Sequence, residues 1–179
     1  TRVDGPVVHQ PAVTDESVYV SGYQDLLCLE SDTGAESWRF HCSNEVGTRP
    51  VIVDGMVLVG SRDQMVYALD AATGVERWRF RTGGTVHIKA GSRIYAGGEG
   101  VVKAVDAPVG EGKPKISWQA QIDGTVGTMI AADDRLFVST REKINDLFVQ
   151  HLDRGEEYRL TRTLSGIMNP ALSPDGRRI

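Results

Sequence analysis

The sequence predicts an all-β protein, a β-propeller built from four-stranded antiparallel blades. A stretch that ends at Trp78 closely repeats a stretch that ends at Trp38, and a third tryptophan, Trp118, follows forty residues later. Short β-rich segments alternate with turn signals inside each repeat, and the 20 glycines suit a protein with many tight turns. A period near forty residues with several short strands is typical of propeller blades.

The second repeat shows the four strands of one blade most clearly. Asp54 and Gly55 form a hairpin turn that favours positive backbone φ angles. Residues 70–74 reverse the chain, because aspartate and threonine side chains can hold local backbone donors and glycine accepts the left-handed conformation. The predicted strands span residues 50–53, 57–59, 66–69 and 76–80.

Extending this pattern along the chain predicts four blades and part of a fifth. A flat blade buries both faces only by stacking on its neighbours, so the blades are expected to form part of a ring of seven or eight. Residues 173–179 resemble the turn before the second strand of a blade, which suggests a longer polypeptide. The predicted blades span residues 6–44, 45–83, 84–123 and 124–165, with the partial blade at 166–179.

One motif recurs in the repeats, with the form Ala-x-Asp-x-x-Thr-Gly-x-x-x-Trp. In the second copy, every fixed position is matched by the residues Ala68, Asp70, Thr73, Gly74 and Trp78. With this motif the chain resembles the pyrroloquinoline-quinone (PQQ) repeat family of quinoprotein-like β-propellers. In that family it is the tryptophan-docking motif, and the resemblance implies that these residues hold neighbouring blades together.

The other copies depart from the motif. The first ends at Trp38 but has Cys28 in place of alanine and Glu30 in place of aspartate. The third ends at Trp118, has valine in place of threonine, and is four residues longer, with a glycine- and lysine-rich loop at residues 110–115 that is expected to bulge from the ring. Since an indole buries about 150–250 Å², all three tryptophans are predicted to pack between blades rather than to form the floor of a cofactor site.

Composition and charge disfavour two classes of partner. The net charge of −4 and the isoelectric point of about 5.6 give no overall field that attracts nucleic acid or an anionic membrane. Arg77, Arg79 and Arg81 alternate with aromatic residues, which predicts outward charges on an edge strand rather than a nucleic-acid patch. No apolar run approaches the roughly 18 residues of a membrane span, so neither nucleic-acid binding nor direct membrane insertion is expected.

No catalytic or metal-binding constellation is evident in the sequence. A nucleophile elbow, a phosphate-binding loop and a dinucleotide fingerprint are all absent. Cys28 and Cys42 are not adjacent, no metal-ligand spacing surrounds them, and a disulfide between them is left open. The histidines also lack metal-ligand spacing: His9, His41, His87 and His151. We therefore expect no metal site and no cofactor.

Candidate contacts for a ligand or partner lie on the loops near the central channel. Arg49 and His87 occupy similar points in successive repeats, each leading into an innermost strand, and Lys89 follows His87 closely. Arg62 and Glu99 lie in turns after second strands, which are expected to share the same face. These five residues are the predicted contact site.

The sequence favours one function and leaves two alternatives open. The favoured function is a non-catalytic scaffold for protein interaction or ligand recognition inside a larger bacterial protein, and the resemblance favours the cell envelope or periplasm. The first alternative is part of an alcohol or sugar dehydrogenase that depends on PQQ and calcium, although such enzymes often carry adjacent cysteines that this chain lacks. The second is a carbohydrate- or polymer-binding propeller that uses the aromatic residues Tyr23 and Tyr158.

Overall fold

Fifteen antiparallel strands in three sheets make up the regular structure of the described residues. The computed structural model describes residues 7, 9–82, 86–90, 93–108, 112–132, 135–141, 147–151 and 157–159. Within each sheet every strand pairs with the next one along the chain. The all-β prediction is therefore confirmed, whereas the predicted partial blade at 166–179 lies outside the described residues.

The first two sheets are four-stranded and correspond to single blades. The first contains β1 (Ala12–Val13), β2 (Ser17–Ser21), β3 (Asp25–Glu30) and β4 (Glu36–His41). The second contains β5 (Val51–Val53), β6 (Met56–Gly60), β7 (Met65–Asp70) and β8 (Glu76–Arg81). In the second, Asp54 and Gly55 have φ angles of 46° and 75°, so the predicted hairpin turn is confirmed.

The third sheet has seven strands. They are β9 (Val86–Ala90), β10 (Arg93–Gly97), β11 (Glu99–Asp106), β12 (Lys115–Ala132), β13 (Arg135–Arg141), β14 (Leu147–His151) and β15 (Glu157–Arg159). The sheet is long because β12 pairs with β11 through its first part and with β13 through its last part. Thr125 is the residue of β12 that pairs with both neighbours, with Glu99 on one side and Arg141 on the other.

The continuous strand β12 crosses the predicted boundary between blades 84–123 and 124–165. Between the first two sheets, the corresponding connection contains Pro50, which has no N–H to donate to a ladder. β12 contains no proline, and Gly124, next to the residue that pairs with both neighbouring strands, has a positive φ angle of 96°. The blade boundaries themselves remain predictions.

The core lies between neighbouring sheets, and β6 shows how. All five of its residues are buried. Val57 and Val59 pack in a cluster with Trp38 and Leu26 of the first sheet, whereas Leu58 packs in a cluster that includes Ile94 of the third sheet. Because side chains alternate across a strand, one strand supplies both interfaces of the second sheet.

Candidate functional site

Loops from the first two sheets meet at one end of the strands. The loop cluster consists of residues 22–24, 42–50 and 61–64. In its middle, the Val46 N–H donates to the carbonyl oxygen of Tyr23 (2.9 Å), and the Arg62 N–H donates to the carbonyl oxygen of Glu45 (2.8 Å). The connection between the two sheets therefore lies across the turns of both.

Buried hydroxyl groups fix this connection further. The Thr48 Oγ1 atom accepts a hydrogen bond from the Gly60 N–H (2.7 Å), and the Ser21 hydroxyl donates to the Thr48 carbonyl oxygen (3.2 Å). The Ser61 hydroxyl donates to the Asn44 carbonyl oxygen (3.0 Å). Since these hydroxyls are buried and bonded, the loop cluster has a defined shape.

Two of the five predicted contact residues lie in the loop cluster. Arg62 has its Nε atom 3.3 Å from a carboxylate oxygen of Glu45, and 64% of its side chain is exposed. Arg49 is also exposed and lies two residues before the start of β5. Tyr23 adds an aromatic ring that is 53% exposed. The structure therefore brings two arginines and a tyrosine to one end of the first two sheets.

The other three predicted residues belong to the third sheet. His87 and Lys89 lie in β9, where their backbones pair with Ala96 and Ile94. The structure describes the backbones of these two residues and of Tyr158, but not their side chains. Glu99 is exposed and is the first residue of β11, so it lies in a strand and not in the predicted turn. No contact role of these residues is established by their positions alone.

A polar network that joins the buried Tyr67 hydroxyl to the loop cluster was not predicted from the sequence. The hydroxyl of Tyr67, a residue only 1% exposed, donates to the Asp63 carboxylate and lies 3.3 Å from the Ser43 hydroxyl oxygen. Burial raises the pKa of Tyr67, and its hydrogen bond to Asp63 adds to the rise. Tyr67 therefore remains a neutral donor that fixes the turn, and the alternating apolar pattern of β7 gave no signal of it.

Both cysteines are free thiols, so the disulfide considered from the sequence is not formed. Cys42 is completely buried. Burial raises the pKa of its thiol to about 12, and the nearby carboxylates of Asp63 and Asp25 add to the effect. Because the thiolate is the reactive form, Cys42 is a packing residue. Cys28 is buried opposite Trp38 in the pairing of β3 with β4.

Residues of the repeat motif lie at the contact between the first and second sheets, here called the first junction. The Trp38 indole lies against Gly74, where a Cβ atom would come within 2.6 Å of Trp38 Cδ2. Gly74 also has a φ angle of +71°, which L side chains rarely adopt. The Trp38 Nε1–H donates to the Ala71 carbonyl oxygen (3.0 Å), and the Tyr19 hydroxyl donates to the same oxygen (3.2 Å).

Asp70 and Thr73 give the turn its shape. The Asp70 Oδ1 atom accepts hydrogen bonds from the Thr73 N–H (2.9 Å) and the Thr73 hydroxyl (2.8 Å), while Oδ2 accepts one from Arg77 (2.6 Å). The hydrogen bond from Arg77, followed by those from Thr73, lowers the pKa of Asp70 to about 2. The Gly74 N–H in turn donates to the Asp70 carbonyl oxygen (2.8 Å).

The second junction, between the second and third sheets, uses the same positions differently. Trp78 is 6% exposed and belongs to a cluster with Ala68 and Ile94. Its indole N–H is buried and has no acceptor among the residues that the structure describes. The Phe80 ring lies 5.7 Å from the Lys103 ammonium group.

The third tryptophan lies within the third sheet. Trp118, in β12, has its ring centroid 5.9 Å from that of Tyr95. Trp38 and Tyr19 form the equivalent pair in the first sheet at 5.8 Å. The first and third sheets thus share an aromatic pair at corresponding positions.

The described ranges offer neither a metal-ligand group nor a membrane-spanning helix. Within them, no three residues of the types His, Cys, Asp and Glu are grouped so that they could hold a metal ion. The same part of the chain contains no helix long and apolar enough to cross a membrane.

Comparison with solved structures shows a shared fold at low sequence identity. BamB from Moraxella catarrhalis matches with a TM-score of 0.70 and 17% identity over 86% of this chain and 52% of that one. Quinohemoprotein alcohol dehydrogenase from Comamonas testosteroni matches with a TM-score of 0.71 and 19% identity over 87% and 35% of the two chains. The computationally designed Ika8 protein matches with a TM-score of 0.75 and 17% identity over 91% and 52%. This chain therefore spans about half or less of each of these structures.

Comparison of sequences identifies the family. The curated proteins give no significant match. A family model described as outer membrane protein assembly factor BamB matches residues 1–104, which is more than half of the 179 residues. This range contains the first two sheets and the complete repeat motif. The chain therefore belongs to the PQQ-repeat family of β-propellers that this model describes.

Proposed function

We propose that this chain is a non-catalytic propeller module whose loop cluster binds a protein partner. The observation that carries the proposal is a loop cluster held by buried hydrogen bonds that exposes Tyr23, Arg49 and Arg62. Tyrosine and arginine are enriched at protein interfaces and among their energetic hot spots. A surface that is already ordered also loses less conformational entropy on binding.

The family supports a role in the cell envelope. The matching family model and one of the similar structures carry the name BamB, and the model's description refers to outer membrane protein assembly. By this analogy the chain belongs to a larger bacterial protein of the periplasm, and its partner is a protein or a linked domain. Under the proposal, His87, Lys89 and Glu99 extend the contact surface onto the third sheet.

Site-specific photo-crosslinking in the native cells tests this proposal. A photoreactive amino acid is introduced at Tyr23 in the full-length protein, with Val75 as the control position. Val75 is 60% exposed and lies in the β7–β8 turn at the opposite end of the strands. We expect a discrete protein adduct from position 23 that is absent from position 75 and is lost when Arg62→Glu is added. Equal adducts from both positions, or none, would contradict the proposal.

A PQQ-dependent dehydrogenase is the second candidate, favoured by the shared fold with quinohemoprotein alcohol dehydrogenase. The described residues do not fit the cofactor: Cys28 and Cys42 are separate and buried, and the described ranges offer no three-residue group for a metal ion. Addition of PQQ and calcium, followed by quinone absorbance and dye-linked alcohol oxidation, separates the candidates. A quinone spectral change with turnover would favour the enzyme over the scaffold.

A further inference from the structure

An open groove of about 650 Å³ lies beside the outer edge of β8. It is lined by residues 77–80 of β8 and by residues 112–114 of the loop that leads to β12. β8 is the last strand of the second sheet, and no other described strand pairs with its outer edge. The groove therefore combines an accessible strand edge with a volume in the range of ligand sites, about 300–1,000 Å³.

Positive charge is in excess along this groove, although the whole chain has a net charge of −4. Arg77, Arg79 and Lys113 line it. The neighbouring carboxylates already form ion pairs with these arginines. Arg77 Nη2 lies 2.6 Å from Asp70 Oδ2, and Arg79 Nε lies 2.7 Å from Glu76 Oε1. Both arginine side chains are still about half exposed, at 45% and 51%. The groove is thus locally opposite in sign to the rest of the chain.

Aromatic residues also line the groove. Trp78 and Phe80 alternate with the two arginines along β8.

We propose that this groove binds an extended acidic segment of a partner protein, which adds as a strand to the outer edge of β8. Exposed strand edges accept a further strand through main-chain hydrogen bonds. The carboxylates of the segment face Arg77, Arg79 and Lys113. Cations on the edge repel basic strands and thereby select an acidic one. This surface lies at the second junction, separate from the loop cluster, and so goes beyond the proposed function.

Fluorescence anisotropy with a labelled peptide of alternating glutamate and valine tests the proposal, and a lysine–valine peptide serves as its charge-reversed counterpart. We expect the acidic peptide alone to bind, and added salt to weaken it. Lys113→Glu is expected to reduce the affinity about tenfold, equivalent to about 1.4 kcal/mol. Arg49→Glu makes the same change of charge in the loop cluster and is expected to leave the affinity within about twofold.

Three results would overturn the proposal. These are no binding of the acidic peptide, equal losses from Lys113→Glu and Arg49→Glu, and displacement of the peptide by a single-stranded oligonucleotide that binds more tightly. The third result would assign the groove to nucleic acid instead. Lys113 lies in an exposed loop, so its substitution leaves the core intact, and circular dichroism of the variant verifies this.

Discussion

The first and second junctions have tryptophans at equivalent positions, but the indole N–H groups of these tryptophans differ in their hydrogen bonding. At the first, the Trp38 N–H has the Ala71 carbonyl oxygen as its acceptor, which it shares with the Tyr19 hydroxyl. At the second, the buried Trp78 N–H has no acceptor in the described part of the chain, and Leu58 occupies the position that corresponds to Tyr19. Burial of the indole is thus common to both junctions, whereas its hydrogen bond is not.

The neighbouring phenylalanines show the same contrast. Phe40 packs against Tyr67 at the first junction, with ring centroids 5.4 Å apart. Phe80 meets Lys103, which occupies the position that corresponds to Tyr67, at 5.7 Å. The first junction therefore contains a pair of aromatic rings at this position, and the second contains a cation–π pair.

The difference originates in the turns of the following sheets. Residues 70–74 form a compact turn that brings the Ala71 carbonyl oxygen to the indole. In the third repeat a valine replaces the motif threonine and four residues are added. The residue that corresponds to Ala71 is Ala107, and the departure from the motif begins two residues after it, in the segment that also supplies residues 112–114 of the groove. The proposed binding groove therefore lies beside the junction whose indole N–H has no acceptor among the described residues.

Gly74→Ala should produce the largest effect, because it breaks the first junction by overpacking. The added Cβ would lie 2.6 Å from Trp38 Cδ2, and alanine would have to adopt the left-handed φ of +71°. Overpacking costs about 1–3 kcal/mol and the left-handed conformation about 1–2 kcal/mol. Together they are expected to lower the free energy of unfolding by about 2–5 kcal/mol, measured by urea denaturation.

Gly34→Ala is the matched control for this prediction. Gly34 is the equivalent glycine of the first sheet and has a φ of +68°, but none of the described atoms lies within 4 Å of its Cβ position. Only the backbone cost of about 1–2 kcal/mol is therefore expected. Equal losses for the two variants would show that the contact between Trp38 and Gly74 carries no stability.

Trp38→Phe and Trp78→Phe compare the two indole N–H groups directly. Both variants lose a similar apolar area, so the difference between them isolates the hydrogen bond. We expect Trp38→Phe to destabilise the chain by about 1–3 kcal/mol more, because Trp78→Phe removes an unsatisfied donor whereas Trp38→Phe removes a satisfied one. Urea midpoints of both variants provide the measurement, and a larger loss for Trp78→Phe would indicate that its N–H has an acceptor.

Tyr19→Phe should have a smaller effect at the first junction. It removes one hydrogen bond to the Ala71 carbonyl oxygen, which still accepts from Trp38. The expected loss is about 0.5–1.5 kcal/mol by the same assay. If Tyr19→Phe and Trp38→Phe are combined, the carbonyl oxygen has neither donor, and the double variant should lose more than the sum of the two. A strictly additive result would argue against a shared acceptor.

Local patterns in the sequence were sufficient to predict the four strands of the second sheet. The hairpin at Asp54 and Gly55 depends on backbone angles that those residues favour, and both angles are observed. The continuity of β12 was missed, because it depends on pairing at Thr125 with two strands at once, which no local pattern encodes.

The candidate site was predictable only in part, because contacts between segments that are distant in the sequence are not encoded by local patterns. Arg49 and Arg62, chosen for their loop positions, lie in the loop cluster at one end of the strands. The partner of Arg62, Glu45, is seventeen residues away and lies next to it only because the connecting loop folds back onto β6. The buried network of Tyr67 likewise arises from packing. Roles of these residues in binding, and of the repeat motif in docking, stay predictions.

Asp70 provides the smallest expected effect and a test of the turn on which the first junction depends. Its pKa is lowered from 3.8 to about 2, first by the hydrogen bond from Arg77 and then by those from Thr73. Because the folded-state value is the lower one, the stabilisation is fully present above about pH 4 and is lost as the pH falls through 2. Urea denaturation over this range should show the decline.

Asp70→Asn separates the charge from the shape of the turn. Asparagine keeps an oxygen that accepts from Thr73 but does not titrate, so this variant should lose less stability than wild type between pH 4 and pH 2. The Trp38 indole should remain seated, since its acceptor is the Ala71 backbone rather than the Asp70 side chain. An unchanged pH slope in the variant would assign the acid sensitivity to other carboxylates, and the turn at the first junction would then owe its stability to hydrogen-bond geometry alone.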